Sequence, residues 1–269
     1  MFVCNKIEKM KHNIVKIVYL LFSFLFIISC KKDDNNEVVA DFKAENRKSL
    51  GISAEDILSN DTYSKLTVEF VYFGLYKPTD LAVLNFRNFL DERLNKPGGI
   101  SIVETTIPEA EGSPFTTAEL IAIEDANRTI YTDEDTISVY VFFANGVSIN
   151  DTNTSVTLGT AYLNTSIVIY EKTLQDLVIG NPQINLSDLE TTTLEHEFGH
   201  ILGLVNLLDD DIHSDHMDPG HPKHCIVEDC LMYFESNTRS QVIQRYAGRL
   251  RVPELDPLCI ADLQAKGGL

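Results

Sequence analysis

Thr193-Leu194-Glu195-His196-Glu197-Phe198-Gly199-His200-Ile201-Leu202-Gly203 is the stretch on which the reading of this chain turns. Leu194, Phe198, Ile201, Leu202 and Val205 form an apolar stripe at helical spacing. Asn185 to Glu190, just upstream, offers residues suited to a helix start. On a helix, side chains four apart share a face, about 5–6 Å apart at Cβ. His196 and His200 can therefore offer two imidazole nitrogens to one zinc ion at the roughly 2.0–2.1 Å of a zinc–nitrogen bond. Glu197 sits one step round the helix, where its carboxylate reaches water rather than the metal. A Lewis acid, a water and a general base within one helical turn is the equipment for hydrolysing a peptide bond at neutral pH. The plain alternative is a pair of core histidines on an amphipathic helix.

Three residues past His200 stands Gly203, and glycine accepts a positive φ at little cost. The order His-Glu-x-x-His-x-x-Gly resembles the metzincin zinc peptidases, which turn sharply at this glycine. Their third ligand follows three residues later, where this chain has Asn206, a poor zinc ligand. Further on, His224-Cys225, four residues, Cys230, one residue and Met232 resemble the archaemetzincin pattern, in which the third histidine precedes a Met-turn at this spacing. A closer resemblance, over most of the chain, is to the zinc-dependent metalloprotease lipoproteins of Bacteroidetes. Those carry a His-rich insertion after Gly-Leu-Val-Asn and end it in Cys-Leu-Met-Tyr, here Gly203 to Asn206 and Cys230 to Tyr233. The later Cys-x-x-Cys of archaemetzincins is absent, and Cys259 stands alone.

These resemblances imply an α/β (α+β), metzincin-like zincin fold. It would have a mixed twisted sheet, an active-site helix and a smaller C-terminal subdomain. They imply zinc on His196, His200 and a histidine of the insertion, with Glu197 as the catalytic base and Met232 packed beneath the metal without binding it. Tyr233 is the candidate for stabilising an oxyanion, with a buried structural role as its alternative. His213, His216, His221 and His224 all lie between the helix and the Met-turn. His224 is the first choice for third ligand on the Met-turn spacing, and His216 the alternative, since Asp215 and Asp218 beside it could orient a ligating imidazole. Those two carboxylates, with Asp209 to Asp211, are also candidates to hold Ca2+ through oxygen. A merely solvated polar loop competes with each single assignment.

At the start of the chain, Lys6, Lys9, Lys11 and Lys16 precede an apolar run from Ile17 to Ile28, the pattern of a secretory leader. The run is shorter than the ~20 residues that span a bilayer. Ile27-Ile28-Ser29-Cys30 resembles a bacterial lipobox. The expected organisation is therefore a signal peptide over 1–29, a tether over 30–40 carrying lipid (palmitate among it) on Cys30, and a single catalytic domain over 41–269. The charged segment after Cys30 resembles the surface-export signal of Bacteroidetes lipoproteins, so the expected place is the bacterial cell envelope, lipid-anchored and surface-exposed on the outer membrane. In that oxidising setting Cys225 and Cys230 are disulfide candidates. A second, thiolate metal site as in archaemetzincins is the competing reading.

Composition fits one soluble domain on such a tether: 44% hydrophobic, 23% charged, and no second long apolar run. A formal net charge of −18 argues against nucleic acid as a partner and against electrostatic binding to anionic membranes. The partner expected is a peptide or protein substrate, taken by a monomer. A non-catalytic adhesion lipoprotein on the same scaffold is the alternative, and the intact Glu197 argues against it.

The remaining sequence reads as alternating elements. Strands are expected over 66–73, 100–103, 136–143, 159–162 and 166–170. Helices are expected from Thr79-Asp80 to Leu94, from Thr116 to about Tyr131, and over the active-site segment, which the last strand precedes. That order resembles the upper subdomain of metzincins, where a strand edge across the cleft binds substrate as an added β-strand, and residues 159–162 are the candidate for that edge. Residues 38–64 read as an N-terminal extension, and 239–269 as a C-terminal helix and tail.

Overall fold

The β-branched and aromatic runs build one five-stranded sheet from β1 (Lys65–Tyr72), β2 (Gly99–Thr106), β3 (Thr136–Phe143), β4 (Gly159–Leu163) and β5 (Ser166–Ile169). The strand order is β2-β1-β3-β5-β4, parallel except for β4, which pairs antiparallel with β5 and forms an edge. The structure is a computed structural model, and it describes residues 41–234, 238–248 and 251–269. The expectations for the signal peptide, for Cys30 and for the tether fall outside those residues.

β3 is buried along all but its first residue, as a strand covered on both faces should be. Side chains alternate across it. Phe70, Val139, Val141, Phe143, Ile167 and Ile169 enter the main core, while Val71, Tyr140, Phe142, Val168 and Tyr170 join Phe115 and Leu120 in a smaller core on the other face. The fold is thus the mixed α/β arrangement that the element order implies.

Helices connect and cover the strands: α1 (Ala54–Leu58), α2 (Asp80–Arg93), α3 (Thr117–Asn127), α4 (Glu171–Val178), α5 (Leu186–Ile201), α6 (Arg239–Tyr246) and α7 (Pro257–Ala265). Thr79 caps α2, and Thr116 with Glu119 closes a full capping box on α3. Two regions depart from the sequence reading. A helix that it did not include, α4, lies between β5 and the active-site helix, and two helices, α6 and α7, replace the single C-terminal one.

α5 carries the His-Glu-x-x-His segment. Asn185 caps it, its side chain accepting from Ser187 N at 3.0 Å. Thr191, Thr192 and Thr193 satisfy their hydroxyls by donating to the carbonyls four residues back. Phe198 packs edge-on against Phe86 of α2 at 5.2 Å, and Phe86 stacks on Phe70 of β1 at 5.8 Å. That chain of rings clamps α5 onto the main core and fixes which of its faces points away. The helix ends at Gly203, whose φ of 83° turns the chain into the irregular stretch that follows.

Candidate metal centre

His196 and His200 project from the free face of α5, and the irregular stretch returns to bring His224 beside them. Ring centroids lie 4.9 Å (His196–His200), 5.3 Å (His196–His224) and 5.2 Å (His200–His224) apart. One ligand nitrogen from each lies within 4.8 Å of the others. The second nitrogen of every ring is engaged by a backbone carbonyl: His196 Nδ1 by Leu231 O at 2.8 Å, His200 Nδ1 by Leu204 O at 3.1 Å and His224 Nδ1 by Pro222 O at 3.2 Å. A ring that donates from Nδ1 keeps its lone pair on Nε2, which is the tautomer a metal needs. Burial, then the neighbouring rings, hold His200 well below the ordinary imidazole range; burial and His196 bring His224 down to about 4. Neutral imidazoles converging in this way fit the donor set of a zinc ion with one position left open.

The open side faces a cavity of about 180 Å³ lined by Val156, Leu158, Gly159, Thr193, Phe234 and Tyr246, among others. Glu197 borders it, almost wholly buried, and burial raises its carboxyl above the usual range. Its Oε2 accepts from Ala161 N on β4 at 2.8 Å. Met232 is fully buried against α5, where a Cβ on Gly199 would lie only 2.4 Å from its Sδ. Tyr233, the oxyanion candidate, stands elsewhere. Its ring lies 4.8 Å from the Arg245 guanidinium in a separate hollow with His221 and Glu228. The aromatic rings that line the cavity are those of Phe234 and Tyr246.

His216, the alternative third ligand, is not with the other two. It is buried in a second cluster, its Nδ1 3.5 Å from Cys225 Sγ and 3.8 Å from Cys259 Sγ. Cys230 Sγ lies 3.7 Å from Cys259 Sγ. Asp262 Oδ2, 2.9 Å from His216 Nε2, turns the ring so that Nδ1 faces the sulfurs. The partners expected of Asp215 and Asp218 are thus supplied by Asp262, far along the chain. Backbone N–H groups of Val227, Met232 and Asp256 donate to Cys225 or Cys230 sulfur at 3.3–3.4 Å. The disulfide expected between Cys225 and Cys230 is not formed: both are free thiols, as is Cys259. Cys225 Sγ converges instead with His216, Cys259 and Asp256, whose Oδ2 it meets at 3.1 Å, and hydrogen bonds from Cys230 and Cys259 hold the Cys225 thiol well below the ordinary range.

The carboxylates considered for Ca2+ do not converge either. Asp210 and Asp211 pair with Lys266, Asp211 also accepts from Asn206 N, and Asp218 holds His221. Four partners escaped the sequence reading: Asp256, Cys259, Asp262 and the carbonyl of Leu231. None stands at a spacing that a helix or strand would bring to the motif, so only the tertiary fold could show them.

No family model matches this chain, and no curated protein does. Among solved structures it is similar to the crystal structure of archaemetzincin from Methanopyrus kandleri. Identity is 18% and the TM-score 0.47, over 76% of this chain and 96% of that one.

Proposed function

We propose that this chain is a zinc-dependent endopeptidase. The observation that carries the reading is the convergence of His196, His200 and His224, each with Nδ1 tied to a carbonyl, next to a buried Glu197 at an open cavity. Zinc held by those nitrogens supplies a Lewis acid that polarises a carbonyl and acidifies water. The chain's own residues do the rest. Glu197 takes a proton from the attacking water and passes it to the leaving amine. Its carboxylate is held on the β4 side of α5 by Ala161 N–H, beside the imidazoles. The walls of the cavity, apolar at Val156, Leu158 and Phe234, accept a substrate side chain and keep bulk water from the reacting bond.

The second cluster fits a structural zinc ion in the same proposal. His216, Cys225, Asp256 and Cys259 each offer one ligand atom within 4.8 Å of the others, a set of four donors that leaves no open position, and the backbone N–H groups on the neighbouring sulfurs suit thiolates.

The purified chain should digest casein or gelatin, lose that activity on dialysis against a chelator and recover it with zinc. Undiminished digestion after chelation would sink the metal chemistry; binding without digestion by the zinc-loaded protein would favour an adhesion role. Lipid attachment at Cys30 and a place in the cell envelope belong to the proposal on the leader sequence alone. A Cys30→Ala form that still fractionates with membranes would remove them.

A further inference from the structure

The register of β4 determines what its outward backbone groups can do. Gly159 pairs with Ile169, Thr160 with Val168 and Ala161 with Ile167, and Tyr170 N donates to Leu158 O at 2.8 Å. Leu158 and Thr160 therefore face β5, and Gly159 and Ala161 point their N–H and C=O groups away from the sheet. An exposed edge of this kind is where an added peptide strand would pair. At Ala161 that donor is already in use, because its N–H is bonded to Glu197 Oε2 at 2.8 Å. Two residues earlier the strand makes room for the same side chain. A Cβ on Gly159 would meet Glu197 Cγ at 2.6 Å, with Glu197 Oε1 and Thr193 Cγ2 each at 3.1 Å. Gly159 has no positive φ, so the backbone itself does not require glycine there; the approach of Glu197 does. Cγ sits near the root of a side chain on a clamped helix and cannot swing clear as a free chain end would.

We propose that the β4 edge is the positioning device of the base. Gly159, by lacking a Cβ, and Ala161, through its N–H, together set where the Glu197 carboxylate stands. It follows that a substrate strand does not pair at Ala161, and that its outward backbone contact with β4 falls at Gly159 and before. The inference rests on the endopeptidase reading and on Glu197 as its base.

Two variants of the zinc-loaded full chain test it by separate routes. Gly159→Ala adds the Cβ. Ala161→Pro deletes the N–H at an outward edge position beside the irregularity between Ala161 and Leu163, where proline is tolerated. Misplacing a catalytic group by about 1 Å costs on the order of 100-fold. Each variant should therefore lose about that factor in kcat while KM stays within about threefold, the pattern of an interaction needed only for the chemical step. Zinc content should be unchanged, and neither substitution should cost anything further when combined with Glu197→Gln. If the edge instead binds substrate, KM rises with kcat preserved, and the inference is overturned. It is equally overturned if both variants keep kcat within a fewfold while Glu197→Gln is inactive. Near-normal turnover by Glu197→Gln alone would show that the base assignment underneath had failed.

Discussion

His224 and Cys225 are neighbours in the chain that serve different centres. One stands with His196 and His200, the other with His216, Asp256 and Cys259. Extended backbone sends successive side chains to opposite sides, and here Cys225 N is bonded to Met232 O at 2.8 Å, which holds that stretch in place. The two centres can therefore be emptied separately. With both occupied the chain should carry about two zinc ions, and His224→Ala should carry about one, since it removes one of only three donors from the open site. It should remain folded, because Cys225 and its partners are untouched. Metal analysis alongside a melting curve checks this; a His224→Ala protein with undiminished zinc would remove His224 from the ligand set. His196, Glu197 and His200 were legible because helical periodicity alone puts them together. His224 was reached through the spacing to Met232 that a family resemblance supplied. Cys259 entered only through the competing reading of a second thiolate site, and its partners were not legible: it lies 29 residues from Cys230, and no local pattern relates them.

Among the elements, α4 was the one the sequence hid, and it brings a buried acid pair with it. Its first residue, Glu171, meets Glu190 of α5, and Glu190 Oε2 accepts from Thr79 N at 3.0 Å at the cap of α2. Three helices thus join at two carboxyl groups that are almost wholly buried. Glu171 Oε2 and Glu190 Oε1 have no other hydrogen-bond partner, and a proton held between the two groups satisfies both. Burial, then Glu190, pushes Glu171 up to about 10, and burial raises Glu190 as well. From the ordinary value of 4.5 up to about 10 the folded chain therefore binds more protons here than the unfolded one does. Stability contributed by the pair is complete below that window and is lost as pH rises through it. Glu171→Gln keeps a donor toward Glu190 and removes Glu171's own titration, the larger of the two. Its urea midpoint should fall less between about pH 6 and pH 9 than that of the parent chain. Equal falls would show that the pair does not govern the alkaline loss. The strands and capped helices, by contrast, followed from alternation and from Thr79 and Thr116, because those signals are local.

For the whole molecule, the two centres are unequal in what they hold together. The His224 site joins α5 to one loop. The cysteine site joins that loop to α7, which contributes Cys259 and Asp262, and to Asp256 at the α7 cap. Leu231 sits between Cys230 and Met232, and its carbonyl is the one that orients His196. Opening the cysteine site should therefore loosen the loop that delivers His224, the carbonyl that fixes His196 and the methionine packed under α5. Buried thiols and carboxylates left without a metal add a desolvation cost of their own. Cys259→Ser, a change of one atom outside the cavity lining, should consequently bring zinc from about two toward zero per chain, abolish casein digestion and lower the melting temperature. His224→Ala should lose activity with only one of the ions and little of the stability. The order of dependence is thus directional, from the closed site to the open one. A Cys259→Ser protein that still binds about one zinc and digests casein at the parent rate would show the two sites to be independent.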